Sequence, residues 1–286
     1  MAHTAFIGFG EAGIAFARAG CMAYDAMSHA AKQADYAAAG VTGTADAAGA
    51  LAGAAVIFSL VTADQALPAA RGCAAVLAPG ALWLDMNSVA PGTKRAAAEA
   101  IEGAGGRYVD VAVMSPVLPA RLDTPLLLAG PHARDAATAL ADHGFANVAI
   151  AGPTVGDASS IKMIRSVMVK GIEALSAECA LAAHHAGVAE AVLASLDASW
   201  KPQGWAERID YNLDRMLAHG VRRAAEMEEV AKTLSDLDVD PAMTRGTIAR
   251  QRELGALGIA PPDGLSAKLA AIDSDRMDAM KKGSAA

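Results

Sequence analysis

The chain has 286 residues, of which 53% are hydrophobic and 19% charged, with a formal net charge of −7. At roughly 150 residues per domain this suggests about two domains with a sizeable core, which excludes intrinsic disorder, and the acidic balance offers no basic field for a nucleic-acid backbone. Only 4% of residues are aromatic and much of the apolar excess is alanine, so a helix-rich, closely packed core is expected.

The opening MAHTAFIGFG has no basic segment, and a glycine interrupts its apolar run, so it reads as a first strand rather than a signal peptide. No apolar stretch approaches the roughly 20 residues that span a bilayer. A soluble, cytoplasmic protein is expected. The first half then repeats short apolar runs, each followed by a helical stretch, and strands are predicted at 4–8, 21–24, 55–61, 82–86, 107–113, 125–129 and 147–151. The runs are continuous rather than alternating, as in parallel strands buried on both faces. From Asp157 the rhythm changes: Asp157-Ala-Ser-Ser can cap a helix that meets no breaker until about His185, a spine roughly 45 Å long at 1.5 Å per residue. Beyond it Met227, Val230, Ala231, Leu234 and Leu237 recur at helical steps, which predicts an all-α region. The expected architecture is a doubly wound parallel α/β sheet of the Rossmann type over 1–153, then an all-helical domain over 154–286 with a frayed tail after Asp278.

Cys21, Cys73 and Cys179 are odd in number, scattered and without a C-x-x-C pair, so buried reduced thiols are expected rather than disulfides or a zinc site. His184-His185 has no Asp, Glu or Cys at metal spacing, and no metal is expected.

Gly8-Phe9-Gly10-Glu11-Ala12-Gly13 follows the first strand and opens a helix. In that context Gly8 permits a tight turn, Gly10 lets a pyrophosphate approach the backbone, and Gly13 lets helix and strand pack closely. This predicts dinucleotide binding. Asp25 ends the second strand, where an acidic side chain grips the adenosine ribose, the alternative being a solvated turn aspartate or a helix cap; its charge repels a 2′-phosphate, and Ala26 and Met27 supply no cation to hold one. NAD is therefore expected, with NADP less favoured. Two later loops, Ser59-Leu-Val61-Thr62-Ala-Asp64 and Asp85-Met-Asn87-Ser88-Val-Ala-Pro91, fall at the carboxyl edge of the sheet, where ligands bind. Val61 and Thr62 are candidate cofactor contacts. Asn87 and Ser88 offer donors and acceptors to a nicotinamide ribose or a substrate oxygen. Lys162 and Ser166 share one helix face at i and i+4, and a lysine facing the cleft could pass a proton to a carbonyl as hydride arrives; the alternative is a solvated helix lysine.

The order of these motifs resembles the β-hydroxyacid dehydrogenase and 6-phosphogluconate dehydrogenase family. Its glycine fingerprint, D-x-[ST/N]-S/T-x-x-P loop, D-A-P-V-S-G-G-like strand end and G-x-G-x-x-x-K-x-x-x-N helix correspond here to Gly8–Gly13, Asp85–Pro91, Asp110–Pro116 and Gly156–Ser166. The resemblance implies that Lys162 is the catalytic acid/base and that Met114 and Ser115 contact substrate. Two departures stand out. Met114-Ser115-Pro116 replaces a Ser-Gly-Gly donor set, and proline has no N–H; Ser166 replaces an asparagine. The stretch His219-Gly-Val-Arg222-Arg223-Ala-Ala-Glu226-Met-Glu-Glu229 resembles an uncharacterised helical domain on a divergent branch of this family. Arg223 heads the apolar stripe and could meet an anionic ligand, against the alternative of i,i+4 ion pairs such as Arg222 with Glu226. Trp200 and Trp205 flank a loop that could line an aromatic-accepting pocket, or they could be core anchors at a domain interface.

The resulting expectation is an NAD-dependent oxidoreductase that interconverts a secondary alcohol and a carbonyl on a hydroxyacid-like substrate. Lys162 moves the hydroxyl proton and Asn87, Ser115 and Ser166 orient the substrate. Imine reduction on the same scaffold, or NAD binding without turnover, are the alternatives. The apolar residues Ile164, Met168, Ile172 and Leu175 on the spine helix predict a homodimer.

Overall fold

The apolar runs of the first half assemble into one eight-stranded sheet. Its strands are β1 (His3–Ile7), β2 (Met22–Tyr24), β3 (Thr42–Gly43), β4 (Ala54–Ser59), β5 (Leu82–Asp85), β6 (Arg107–Val113), β7 (Leu126–Ala129) and β8 (Val148–Gly152), in the order β3-β2-β1-β4-β5-β6-β7-β8. The computed structural model describes residues 3–27, 29–199 and 202–283, and the chain divides into two compact units, 1–168 and 169–286.

Helices α1 (Glu11–Phe16), α2 (His29–Ala39), α3 (Ala47–Leu51), α4 (Ala66–Ala74), α5 (Pro91–Gly103) and α6 (Ala133–His143) connect the strands. Alternate side chains feed two cores. Phe6, Phe58, Leu84 and Val109 belong to one, while Ile7, Ile57, Trp83 and Tyr108 belong to the other. Because both faces are buried, the strands read as continuous apolar runs.

Two features differ from the expected sheet. Strand β3 was not foreseen; with two residues it carries no periodic signal, yet it pairs with β2 in parallel. The sheet is also not wholly parallel, because β7 runs antiparallel to β6. The connection 114–125 holds only a single 3-10 turn at Arg121–Asp123, and without a crossover helix the chain returns beside β6 in the opposite direction.

Helix α7 (Asp157–His185) has the expected span. Asp157 sits at its first helical position rather than before it, and its carboxylate accepts the Thr154 amide at 3.1 Å. The second unit continues with α8 (Ala189–Ser199), α9 (Trp205–Asp236), α10 (Ala242–Ala256) and α11 (Leu265–Gly283); α11 runs through the segment expected to fray. Helices α9 and α10 touch backbone to backbone where Gly220 meets Gly255. Leu217, Leu254 and Ile272 form the small core. The buried Glu178 carboxylate accepts the amides of Met243 and Thr244 at 2.8 and 3.0 Å and so caps α10, while Lys268 on α11 bonds Asp210 on α9 at 2.9 Å.

Cys21 and Cys73 are buried, but Cys179 is exposed on α7, against the expectation for all three; helical periodicity assigned it no face. Trp205 is exposed with the Arg208 guanidinium 5.9 Å from its ring centre, so it is not a core anchor, and Trp200 lies outside the described residues. Among the described residues no helix is long and apolar enough to cross a membrane.

Candidate active site

The turn after β1 shows a separate reason for each glycine. Gly8 has φ +88°, and a Cβ there would sit 2.4 Å from the Leu60 carbonyl oxygen, so only glycine lets the turn approach the β4 loop. Nothing lies within 4 Å of a Cβ placed on Gly10, which leaves its backbone open to a ligand. At Gly13 a Cβ would lie 3.0 Å from the Gly8 carbonyl oxygen, so α1 packs tightly against the turn. Glu11 is exposed and Ala12 half-buried. Phe9 is fully buried in the core against Phe6, so it can offer a ligand only its backbone.

A cavity of about 600 Å³ opens beside this turn, and its lining includes Gly8, Gly10, Asp25, Met27, Lys32, Val61 and Thr62. The Asp25 carboxylate accepts the Phe9 amide at 2.7 Å and the Met27 amide at 2.8 Å, which fixes its orientation at the end of β2. Lys32, on the first turns of α2, donates to the Phe9 carbonyl at 3.0 Å and to Asp35 at 3.2 Å. Ala26 and Met27, the two positions after Asp25, hold no cation, but the fold brings Lys32, seven residues on, into the same cavity. Cys73 also lines the cavity; burial pushes its thiol up to about 11, so it stays protonated at neutral pH.

The second cluster lies along the carboxyl ends of β4, β5 and β6. Asn87 is buried with its side chain committed: Oδ1 accepts the Val61 amide at 2.7 Å, and Nδ2 donates to Ser59 Oγ at 3.0 Å and Asp85 Oδ1 at 2.8 Å. It therefore ties the β4 and β5 loops together. Ser88, the next residue, is exposed, and its Oγ accepts a hydrogen bond from Lys162 Nζ at 2.5 Å. Residues 74 apart thus meet across the cleft between the β5 loop and α7.

Ser166 turns its hydroxyl back to the Lys162 carbonyl at 2.9 Å, and Ser115 Oγ bonds the Pro116 carbonyl at 3.2 Å. Met114 is half-buried, with its carbonyl 3.5 Å from Arg165 Nη1. Arg223 is half-buried on α9 in the second unit, and the Glu226 side chain is outside those described. Sequence reasoning also missed Lys94 on α5. It is fully buried and reaches Asp85 Oδ1 at 3.0 Å and Asp110 Oδ1 at 3.4 Å, with Tyr108 OH donating to Asp85 Oδ2 at 2.7 Å. Burial and the facing Asp85 carboxylate push the Tyr108 phenol far above its usual range, so it stays a donor. A lysine four residues into a helix after proline carries no sequence signal of burial.

Residues 3–152 match the family model described as the NAD binding domain of 6-phosphogluconate dehydrogenase, and residues 183–254 match the domain of unknown function DUF1932. A conserved hypothetical protein from Sinorhizobium meliloti 1021 is 36% identical, with 96% of this chain and 97% of that one covered and a TM-score of 0.59. A conserved protein of unknown function, described as structurally similar to 3-hydroxyacid dehydrogenases, is 31% identical over 89% of this chain and 97% of that one, with a TM-score of 0.57. The imine reductase of Streptomyces aurantiacus is 22% identical over 94% and 98% of the two chains and shares the fold at a TM-score of 0.70. A search of curated proteins returned no match. The chain belongs to the family of the 6-phosphogluconate dehydrogenase NAD-binding domain, as its motif order implied.

Proposed function

We propose that the protein is an NAD-dependent oxidoreductase that interconverts a secondary alcohol and a carbonyl on a hydroxyacid-like substrate, with Lys162 as the general acid/base. The turn geometry supports the dinucleotide reading: Gly8 and Gly10 leave a cradle that a Cβ would obstruct or narrow, and Asp25 stands in the adjoining cavity. When bound, the nicotinamide supplies or accepts the hydride. The observation that carries the assignment is the bond from Lys162 Nζ to Ser88 Oγ at 2.5 Å. An ammonium held against the carboxyl edge of the sheet can stabilise a developing alkoxide and give it a proton; in the other direction the neutral amine takes that proton back. Ser88 orients the amine, and Asn87 fixes the Ser88 loop. Ser115 and Ser166, whose hydroxyls rest on local carbonyls, can rotate to a substrate oxygen.

In this reading 1–153 is the cofactor domain and 154–286 the substrate and dimerisation domain, in which Arg223 would be an anion contact. The apolar side chains left exposed on α7 favour that pairing, Ile164 at 72% and Val167 at 76% among them. Imine reduction is the second reading, favoured by the fold shared with imine reductases and by the amide that Pro116 removes. Oxidation of NADH with a panel of 2- and 3-keto acids and a matched panel of cyclic imines decides between them. Turnover of the keto acids supports the dehydrogenase. Turnover of the imines alone moves the protein to C=N reduction, and tight NADH binding with no turnover leaves a dinucleotide-binding protein.

A further inference from the structure

Lys94 is the one charged residue among the largest fully buried side chains of the described chain. A lysine is rarely buried unless paired, and this one is paired on every side. Its ammonium donates to the Asp85 carbonyl at 2.5 Å, to Asp85 Oδ1 at 3.0 Å and to the Val111 carbonyl at 3.4 Å, which uses its three protons, and Asp110 Oδ1 lies 3.4 Å away.

The two carboxylates reach the chemistry by different routes. Asp85 Oδ1 also accepts the Asn87 amide at 3.0 Å and Asn87 Nδ2 at 2.8 Å, so it shapes the loop that presents Ser88. Asp110 Oδ2 accepts the Gly156 amide at 3.1 Å, the Ser159 amide at 3.0 Å and Ser159 Oγ at 2.9 Å, so it seats the first turn of α7, one turn before Lys162. One buried cation therefore joins the end of β5 and the middle of β6 to α7.

We infer that Lys94 is the positioning residue of this site: through Asp85 and Asp110 it holds the Ser88 loop and the first turn of α7 in the register that brings Lys162 onto Ser88. The inference rests on the reading of Lys162 as the proton donor. Lys94 itself contacts no reacting atom. With its charge removed, two buried carboxylates face each other uncompensated, and they must separate or take up a proton. A shift of about 1 Å at the reacting geometry is enough to cost on the order of 10²-fold in rate.

The test compares Lys94→Met, Ser159→Ala and, as a control that weakens α5 without touching the network, Ile101→Val. Amide exchange is followed by NMR, NADH binding by fluorescence, and kcat and KM on a compound turned over in the keto-acid panel. In Lys94→Met the Gly156 and Ser159 amides should exchange at least about 10-fold faster than in the control, relative to the Phe6 and Phe58 amides of the central strands. The kcat should fall at least about 10-fold while KM and the NADH dissociation constant change less than about 3-fold. Ser159→Ala, which keeps the ion pairs, should show the same pattern more weakly; if Lys94→Met does not fold, Asp110→Asn, which removes the carboxylate charge that faces Lys94, is read in its place, and exchange at Gly156 and Ser159 no faster than in the control would overturn the inference. Uniformly faster exchange with unchanged kcat, as for Ile101→Val, would make Lys94 a stability residue and overturn the inference. If no panel compound is turned over, the functional reading fails on its own, and exchange confined to the α7 turn still shows whether Lys94 sets its register.

Discussion

Asp25 Oδ2 accepts the Phe9 amide at 2.7 Å, so the residue at the end of β2 holds the glycine turn after β1 as well as lining the cavity beside it. With its orientation fixed in this way, the carboxylate meets a ribose diol favourably and a 2′-phosphate unfavourably. NADH should bind at least about 10-fold more tightly than NADPH, the scale of one charged hydrogen bond of roughly 1.5–3 kcal/mol. Asp25→Ala should narrow the gap and weaken NADH binding. Lys32→Ala should lower NADPH affinity and leave NADH nearly unchanged, since Lys32 is the cation in that cavity. Fluorescence titration of both nucleotides checks this, and equal binding by the native protein would make Asp25 only a turn residue.

That site shows what was legible in the sequence and what was not. The tight turn at Gly8 to Gly13 and the place of Asp25 beside it were legible because they depend on local spacing after a strand, and the place of Lys162 on a helix because it follows an ordered set of motifs. Lys32 and Lys94 could not: each matters through partners brought near by the fold, and a lysine code letter does not tell a solvated side chain from a buried one. The sheet was legible as apolar runs, apart from β3, which is too short to carry a pattern. The reversal at β7 depends on a helix missing from 114–125, an absence that the strand pattern does not register.

Glycine substitutions in the second unit should reverse the usual helix rule. Gly→Ala in a helix interior ordinarily gains up to about 1 kcal/mol. At Gly255, however, a Cβ would lie 2.4 Å from the Val221 amide nitrogen, and at Gly220 it would lie 2.2 Å from the Gln251 carbonyl oxygen. Both contacts are with backbone, so α9 and α10 must move apart. Gly255→Ala and Gly220→Ala should each lower Tm, whereas Gly246→Ala, with nothing within 4 Å of its Cβ, should hold or raise it. Thermal denaturation of the three variants measures the contrast.

His143 should make stability fall in mild acid. Its ring is buried against Phe58, 4.9 Å between centres, and Nε2 bonds the Phe16 carbonyl at 2.8 Å. Desolvation first, and then the Arg18 charge, hold its pKa below the ordinary histidine value against the raising effect of that bond. The unfolded chain therefore takes up a proton near pH 6.5 that the folded state refuses until lower pH. The contribution is complete above about pH 6.5 and is lost as pH falls through the folded value. His143→Gln, which keeps a donor and does not titrate, should lose less stability than the native protein between pH 7 and pH 5.5; parallel Tm curves would remove His143 as the cause.

The chain should associate through the exposed face of α7. Light scattering is expected to give about twice the 28.9 kDa chain mass. The double variant Ile164→Glu with Val167→Glu, which places charge where two of the most exposed apolar side chains stand, should shift it to the monomer. A native monomer at micromolar concentration would remove the homodimer.

Lys162→Ala should abolish turnover while sparing cofactor binding. Hydride arriving at a carbonyl builds negative charge on oxygen, and an ammonium within hydrogen-bond reach stabilises that charge more in the transition state than in the ground state. Proton transfer by a positioned side chain is typically worth roughly 10²- to 10⁴-fold in rate, so kcat should fall within that range. The glycine turn and Asp25 lie in a cavity whose lining does not include Lys162, so NADH affinity should change by less than about 1 kcal/mol. Lys162→Arg should rescue poorly, because a guanidinium stays protonated and cannot accept the proton in the oxidation direction. Ser88→Ala should cost less than Lys162→Ala, since it removes the hydroxyl that orients the ammonium at 2.5 Å and leaves the ammonium in place. The measurement is single-turnover reduction at neutral pH beside NADH titration. If Lys162→Ala keeps more than about a tenth of the native rate, below what a lost general acid costs, Lys162 is a solvated helix residue and the proton must come from another donor.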